Sequence, residues 1–388
     1  MSSCGLRSSS TGSSYNCKRS CAVAMLPTGL RKQMTKTDVL IAGGGFAGLE
    51  CARTLAAAGV SVTLLERKKA AGVGMHTTGI IVGECAEEFA IPERVTRKVT
   101  DVRLFAPNLK YIDLHAPDYF FLTTNTPALM QHLSDEAEKA GATILYDTPY
   151  ENAVEKDGNI IVNDGAFTCK FLIGADGPRS KVADHFFLGQ NTKFLLGAES
   201  EYEGLNLPQN SFYCFLDQTL AYGYLGWVIP SVGVTQVGVA CRMPKRPDID
   251  AFATRMKDVV DFSGAKIVAR RGGLIPVGGL VSPFARGNVI LLGDSAGIVS
   301  PLTAGGIHTA LHYGKILGET IAENLLRGGE NPADVMAKIY PRFYLKLGLR
   351  KIYEHLSPNW LLNVALTNPL FKFSASNVFF RRKTLREK

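Results

Sequence analysis

Short apolar runs and one helical pattern open the body of the chain. Residues 38–42 and 60–65 are apolar runs typical of buried strands, and the helical pattern between them closes at Gly59. Strand, helix and strand in this order indicate a parallel sheet with a crossover helix. The apolar runs 171–173 and 289–292 predict two further strands of that sheet.

The middle of the chain has a different, more alternating pattern. Thr126-Pro127 begins a helix that runs to Lys139, and residues 143–174 alternate around two Asp-Gly turns, which predicts a short antiparallel meander returning to the sheet. The following segment is β-rich, with one helix near 248–261 and predicted strands at 193–199, 211–217, 222–229 and 233–241. A further helix is predicted over 305–326, and the pattern after Asn331 is helical.

Charge is concentrated at the two ends of the 388-residue chain. The net charge is +8, yet residues 1–37 hold six basic residues and no acidic one, and a basic tail closes the sequence. A mildly acidic body between two basic ends argues against a nucleic-acid-binding protein. The eight cysteines are scattered without disulfide-framework or metal-site spacing, which favours a reducing compartment and predicts no metal site.

Residues 1–37 form a leader that is Ser-rich, free of acids and without periodicity. Such a segment is typical of an organellar transit peptide, or of a disordered extension with Met34 as the working start. The first alternative predicts a plastid or mitochondrial enzyme, and the second a cytoplasmic one. The apolar runs are too short to span a membrane.

A glycine motif lies between the first strand and the first helix. Residues 43–48, Gly-Gly-Gly-Phe-Ala-Gly, fit G-x-G-x-x-G in the strand-to-helix position that dinucleotide binding requires. Gly43 permits the tight turn, Gly45 lets the backbone approach a pyrophosphate, and Gly48 allows close helix–strand packing. The helix N-terminus faces the phosphates, and Glu66, at the end of the second strand, is placed to hold the adenosine ribose.

Two later segments indicate which dinucleotide binds. The strands at 171–173 and 289–292 lead into acids, Asp176 and Asp294, at the carboxyl ends of parallel strands, where ligands bind. An acid there can hold the ribityl hydroxyls that FAD has and NAD lacks. The segment from Pro301 to Ile307 then begins a second helix, whose N-terminal dipole would face the flavin ring. The predicted cofactor-binding residues are Gly43, Gly45, Phe46, Ala47, Gly48, Glu66, Arg67, Asp176, Gly293, Asp294, Pro301, Gly305, Gly306 and Ile307.

These segments resemble the FAD-dependent oxidoreductases that include aromatic hydroxylases, squalene epoxidase, flavin-dependent halogenases and geranylgeranyl reductases. Residues 293–307 are most similar to the geranylgeranyl reductase family, as is Tyr222 to Pro230, which resembles that family's aromatic substrate motif ending in Trp-x-x-Pro. The resemblance therefore makes Tyr222, Tyr224 and Trp227 the predicted substrate-binding residues. If they alternate along a strand, even-numbered and odd-numbered residues face opposite sides, and one of these faces can line an apolar tunnel. The alternative for Trp227 is a core position.

Departures from the family pattern limit what carries over. His76-Thr-Thr-Gly79 stands where many relatives have a Cys-Gly-Gly-Gly-like loop, so His76 is the candidate proton donor, or else an exposed loop residue. Thr126 occupies the place of an Arg that often contacts FAD. Leu225 replaces the first Trp of the halogenase motif Trp-x-Trp-x-Ile-Pro, which argues against halogenation.

The predicted fold is α/β: a Rossmann-like three-layer FAD domain, 38–184 and 286–330, interrupted by an antiparallel β-rich substrate domain at 185–285. Residues 331–388 are predicted to be helical, and their aromatics interleave with Lys and Arg, either to lie on an anionic membrane or to pack on the FAD domain.

The resemblance implies a reductase of isoprenoid or similar apolar C=C bonds. The alternatives are a monooxygenase or halogenase, and a non-catalytic flavin carrier. Only one G-x-G-x-x-G is present, so NADPH, ferredoxin or another electron donor must visit transiently.

Overall fold

The structure is a computed structural model that describes residues 34–116, 118–356, 358–366 and 368–380. The chain divides into two units, 1–33 and 34–388, and the second is described below. Its first strand, Thr35–Lys36, pairs in parallel with Phe167–Cys169. The folded part therefore begins before the predicted leader boundary at residue 37, and the rest of the predicted leader lies outside the described residues.

A central sheet of six strands forms the end of the molecule that carries the glycine motif, here called the nucleotide end. All neighbours are parallel except the edge strand Ala285–Arg286. The order across the sheet is Ala285–Arg286, Val289–Leu291, Phe171–Gly174, Val39–Ala42, Val62–Leu65 and Thr143–Leu145. The α/β prediction is confirmed, with one correction: Thr143–Leu145 is a parallel strand and not part of the meander, because helix Thr126–Lys139 completes a second crossover.

The register of this sheet brings three loops to one edge. Gly174 lies beside Ala42 on one side and beside Leu291 on the other, so three parallel strands end level. The glycine motif, the Asp176 loop and the Asp294 loop leave the sheet at this edge. Parallel sheets bind ligands in this position, outside the carboxyl ends of the strands.

Two helices pack closely behind the glycine motif. Helix Phe46–Ala57 lies against helix Ile307–Arg327, and the contact depends on two small residues. A Cβ at Gly314 would come within 2.7 Å of the Ala47 carbonyl oxygen, and one at Gly318 within 2.8 Å of the Thr54 Cβ. The close approach fixes the positions of two helix N-termini at the edge where the three loops leave the sheet. This edge is called the cofactor edge below, because the sequence analysis predicts that the dinucleotide binds there.

A second sheet of seven strands, here called the large sheet, forms the end of the molecule where the sequence analysis predicts substrate binding, here called the substrate end. Its order is Lys266–Pro276, Phe194–Glu203, Thr235–Arg242, Gly226–Pro230, Ser211–Phe215, Asp101–Phe105 and Tyr111–His115. All neighbours are antiparallel except Ser211–Phe215 with Asp101–Phe105. Residues 101–115, which the sequence analysis assigns to the FAD domain, therefore lie in the large sheet.

Two features of the large sheet differ from the predicted pattern. Strand Lys266–Pro276 was not predicted, because its Arg-Arg-Gly-Gly stretch lacks alternation. The strand predicted at 222–229 begins only at Gly226, because Tyr222 and Tyr224 belong to a turn with Gly223 at φ +71°. The argument that Tyr222, Tyr224 and Trp227 alternate along one strand is therefore wrong.

Two small sheets and several helices complete the described residues. The small sheets are Thr35–Lys36 with Phe167–Cys169, Asn159–Val162 and Ala153–Lys156, and Ile80–Val82 with Phe121–Thr124 and Thr96–Val99. The remaining helices are Gly83–Glu88, Lys181–His185, Ile249–Met256, Pro332–Ile339, Tyr344–Leu356, Asn359–Ala365 and Pro369–Phe380, with 3-10 turns at Glu93–Val95 and Gly293–Ala296. The helical C-terminus is confirmed. Within the described part of the chain, every helix is too short or too polar to cross a bilayer.

Candidate active site

The glycine motif has the backbone geometry that a pyrophosphate needs. Gly43 has φ +107°, and a Cβ there would lie 2.3 Å from the Ala175 carbonyl oxygen; at Gly48 a Cβ would lie 2.0 Å from the Gly43 oxygen. Gly45 differs, since a Cβ there would meet nothing within 4 Å. Helix Phe46–Ala57 has no side-chain cap, so its first N–H groups point to the open space at Gly45.

Glu66 is buried and holds the glycine motif in place. Its Oε2 accepts a hydrogen bond from Gly44 N at 2.7 Å, and its Oε1 accepts one from Lys68 N at 2.9 Å. Each carboxylate oxygen can accept a second bond, so a ribose hydroxyl can share this acid. Arg67, beside it, is exposed.

Asp176 organises its own loop. Its carboxylate accepts hydrogen bonds from Ser180 Oγ at 2.6 Å and from Lys181 N at 2.7 Å at the start of helix Lys181–His185. Ser295 Oγ bridges this loop to the next, because it accepts from Gly177 N at 3.0 Å and donates to Asp176 at 3.2 Å. Asp176 therefore positions the cofactor edge, and direct cofactor contact stays a prediction.

Asp294 is an acid whose carboxylate has no hydrogen-bond partner among the residues that the structure describes. It lies half-buried. Desolvation raises its pKa to about 6. A desolvated carboxylate at the end of a parallel strand is suited to accept hydroxyl donors from a ligand.

The segment 300–306, here called the flavin loop, forms a second uncapped helix start. Ala304 N donates to the Ser300 carbonyl at 2.9 Å, with Ala304 at φ +52°, and helix Ile307–Arg327 begins at Gly306 without a side-chain cap. The helix dipole therefore faces the cofactor edge with free N–H groups. A Cβ on Gly293 would come within 3.0 Å of the Ala47 Cβ, so the loops of this edge are in direct contact.

These features fit FAD. An open glycine backbone suits the pyrophosphate, Glu66 suits the ribose, the unpartnered Asp294 suits the ribityl chain, and the flavin loop offers donors to the ring. Residues 36–194 match the family model described as FAD binding domain. The chain is an FAD-dependent oxidoreductase.

The comparisons also place this flavoprotein among named relatives. It is 26% identical over 315 residues to digeranylgeranylglycerophospholipid reductase 2 of Methanosphaera stadtmanae, covering 76% of this chain and 80% of the relative. A geranylgeranyl bacteriochlorophyll reductase-like structure from Thermoplasma acidophilum has a TM-score of 0.78 at 18% identity, covering 89% and 97%. A flavin-dependent brominase structure gives 0.68 at 14% identity, covering 89% and 93%. The predicted relationship to geranylgeranyl reductases is confirmed.

Trp227 lies at the centre of the flavoprotein's large sheet. It is 8% exposed and lies flat on Gly238 of the neighbouring strand, where a Cβ would meet the indole at 2.3 Å. Its Nε1–H donates to Glu199 Oε2 at 2.8 Å, and Thr78 Oγ1 donates to the same oxygen at 2.7 Å. Trp227 is thus built into the sheet, and its contact with substrate stays a prediction.

Glu199 belongs to a buried charge cluster that the sequence analysis missed. Glu199 is 4% exposed, and Arg271 lies with its Nε 3.0 Å from Glu199 Oε1 and also pairs with Glu201. Arg271 Nη1 donates to the Thr77 carbonyl at 3.2 Å, so the cluster also anchors the His76 loop. Burial raises the pKa of Glu199 although Arg271 opposes the rise. No spacing in the sequence indicates this pair, because the residues are partners across two antiparallel strands.

His76 is exposed and lies on the loop that Arg271 anchors through the Thr77 carbonyl. Its Nδ1 is 2.8 Å from the Gly272 carbonyl oxygen, and since a carbonyl oxygen can only accept a hydrogen bond, Nδ1–H is the donor. A Cβ at Gly273 would come within 2.8 Å of the His76 Cβ. The absence of a side chain at Gly273 therefore allows the His76 loop to lie directly against strand Lys266–Pro276. The predicted catalytic role of His76 stays a prediction.

The two predicted tyrosines have different surroundings. Tyr222 OH accepts from Arg242 Nη2 at 2.9 Å, and its ring lies under Lys245 at 4.2 Å. Tyr224 OH instead donates to the Thr303 carbonyl of the flavin loop at 2.6 Å. Of the two, only Tyr224 is brought to the cofactor edge.

Arg350 is a further residue that the sequence analysis missed. It is 4% exposed and donates to the Pro301 carbonyl and to the Gly223 carbonyl, each at 3.0 Å. Helix Tyr344–Leu356 thereby connects the flavin loop to the turn formed by residues 222–224, here called the aromatic turn. The basic character of the C-terminal region hid this residue, since a buried Arg cannot be distinguished from its solvated neighbours by composition.

Proposed function

We propose that this flavoprotein reduces C=C bonds of an isoprenoid of the geranylgeranyl type or a similar apolar lipid. The observation that carries the proposal is that the flavin loop borders an apolar cluster. Ala304 and Tyr224 pack against the same buried hydrophobic group as Trp227, together with Ile80, Leu225 and Ile275. An apolar chain held there would lie beside the flavin edge.

Bound FAD, once reduced, supplies the hydride, and the protein supplies position and a proton. We propose His76 as the proton donor. Its Nδ1–H is held by Gly272 O, which leaves Nε2 to carry and release a proton. The uncapped start of helix Ile307–Arg327 would stabilise negative charge on the ring.

Relatives from two reaction classes support and delimit the proposal. The methanogen relative, whose match covers most of this chain, is named a reductase. The likeness to the brominase, at 14% identity, concerns the fold alone. The two classes differ in their use of oxygen. We expect anaerobic turnover by reduced enzyme, with a mass gain of two hydrogens for each bond of a geranylgeranyl lipid. Product that forms only with oxygen, or carries a halogen, would assign the chain to the other class.

We propose a transient electron donor, NADPH or a ferredoxin. FAD is predicted to occupy the glycine motif, and the sequence has no second G-x-G-x-x-G. Stopped-flow bleaching of the bound flavin by NADPH, or by reduced ferredoxin in parallel, distinguishes the two. Failure of both would point to a different carrier and leave the site geometry unchanged.

We also propose that the C-terminal helices lie on a membrane that contains the lipid substrate. Ten large apolar side chains of residues 344–378 are exposed by more than a third: Tyr344, Leu345, Leu349, Ile352, Trp360, Leu361, Val364, Leu370, Phe373 and Val378. The sequence continues after Phe380 with five basic residues, which suit an anionic surface.

The chain offers a direct optical test of membrane contact. It has two tryptophans, and Trp360 is 68% exposed whereas Trp227 is buried. In a Trp227→Phe variant all tryptophan emission comes from Trp360. Anionic vesicles should shift this emission to the blue, and neutral vesicles should do so less. If neither anionic nor neutral vesicles shift the emission, the proposal of membrane contact is rejected. The proposal of reductase activity is unaffected by that result.

A further inference from the structure

A cluster of two histidines and one glutamate lies on the outer side of helix Ile307–Arg327. His308 and His312 extend from one face of this helix, and Glu88 is the last residue of helix Gly83–Glu88. His308 Nε2 lies 3.0 Å from Glu88 Oε2, and His312 Nδ1 lies 2.7 Å from Glu88 Oε1. All three ligand atoms lie within 4.8 Å of one another. We propose that Glu88, His308 and His312 bind a divalent transition-metal ion, with Zn²⁺ as the ion that fits best.

The residue types and their spacing support this proposal. Histidines four residues apart on a helix present their rings on one side, the arrangement that zinc sites of the H-x-x-x-H type use. Imidazole nitrogen and carboxylate oxygen together favour zinc and similar ions over Ca²⁺ or Mg²⁺, which take oxygen ligands. Thr309 stands where zinc proteases of this spacing carry a glutamate base, so the spacing here indicates binding without hydrolysis.

The distances require little rearrangement. Ligand atoms around a tetrahedral zinc with bonds of about 2.0–2.1 Å are separated by about 3.3 Å. The two His–Glu separations are within about half an ångström of that value. In the metal-free form both rings donate N–H to Glu88, and metal binding moves each proton to the other ring nitrogen. Three protein ligands leave a fourth position for water.

The site is reachable from solvent and structurally connected. The side chains of Glu88, His308 and His312 are 24%, 11% and 25% exposed. A bound ion would tie helix Gly83–Glu88 to the start of the helix that follows the flavin loop. The site is independent of the proposed substrate, so it can fail or hold without affecting that proposal. The sequence analysis predicted no metal, because Glu88 is 220 residues away from His308.

Metal titration of the full-length, tag-free holoenzyme tests the proposal. After chelator treatment, isothermal titration with Zn²⁺ should give one saturable site per chain, and Co²⁺ should produce visible absorption beyond the flavin bands. Zinc should also raise the melting temperature of the chain by mass action. His312→Ala and Glu88→Gln should each weaken zinc binding about 100-fold or more, since loss of an outer-shell partner alone costs about 10–100-fold.

His115→Ala is the matched control, because His115 also pairs with an acid, Asp101, but has no second histidine in its group. It should bind zinc like the wild type. Flavin absorbance checks that each variant is folded, and Glu88→Gln keeps a hydrogen-bonding side chain if the histidine variants are unstable. No saturable binding by wild type, or equal binding by wild type and Glu88→Gln, overturns the proposal.

Discussion

The nucleotide end and the substrate end of this molecule build their sites from different parts of the chain. The nucleotide end uses backbone: glycines at 43, 45 and 48, two uncapped helix starts, and three strands that end level. The predicted substrate end is held together by side chains that meet across strands, with Trp227, Glu199 and Arg271 at its centre. The first leaves backbone open to a ligand at Gly45, whereas the second is a buried polar group whose members bond to one another.

This difference predicts opposite responses to mutation. A substitution in the nucleotide end should change FAD affinity more than folding, as long as it avoids the crowded glycines. A substitution in the buried group of the substrate end should change folding first, because an unpaired charge remains in the interior.

The largest effect is expected from Arg271→Met. The change leaves Glu199 buried without its cation, which should cost about 3–5 kcal/mol of unfolding free energy at pH 7. Because burial already raises the pKa of Glu199, the deficit should shrink as the pH falls and the acid is protonated. Arg270→Met is the control, since its partner Asp250 is exposed and solvent screens the pair, which should therefore contribute little to stability. Denaturant titrations at several pH values measure both; equal losses would contradict the assignment of the buried group.

The nucleotide end should respond in the other way to Gly45→Ala. The added methyl meets nothing in the protein, so the melting temperature of the FAD-free form should be unchanged. It would occupy the space where a pyrophosphate approaches, and FAD affinity should fall about 10–100-fold, or about 1.4–2.8 kcal/mol. Fluorescence titration of FAD-depleted protein measures this affinity. Unchanged affinity would move the pyrophosphate away from Gly45.

The same difference explains what the sequence could predict. Gly43, Gly45 and Asp294 could be proposed from the sequence because a glycine motif and strand-ending acids act through local backbone, and local spacing is visible in a sequence; their contacts with FAD stay predictions. Arg271 and Arg350 were missed because each is defined by partners far away in the chain. Tyr222 and Tyr224 were misplaced on a strand, since the positive φ of Gly223 that makes the turn cannot be inferred from alternating aromatics.

Asp294→Asn should separate stability from binding within the nucleotide end. Desolvation raises the Asp294 pKa to about 6, so the FAD-free protein loses stability as the pH rises from about 4 to 6. The neutral amide should therefore stabilise the FAD-free form at pH 7 by about 1–3 kcal/mol and flatten that pH dependence. FAD affinity should decrease at the same time, because the amide accepts hydroxyl donors more weakly. Melting curves with and without FAD from pH 5 to 8 give both signs. A variant that is less stable without FAD would show that Asp294 already has a structural partner.

The smallest effect is expected where the two ends meet, at Tyr224. Its hydroxyl donates to the Thr303 carbonyl in the flavin loop, and a single neutral hydrogen bond contributes about 0.5–1.5 kcal/mol. Tyr224→Phe should therefore leave the fold intact and accelerate FAD dissociation up to about tenfold, because the loop is held less firmly. Tyr222→Phe removes a hydroxyl that accepts from Arg242, away from the flavin loop, and should leave FAD dissociation unchanged. Dissociation rates from stopped-flow flavin fluorescence compare the two variants directly. If both variants behave alike, the aromatic turn does not transmit substrate-side contacts to the flavin, and the two ends act as independent sites.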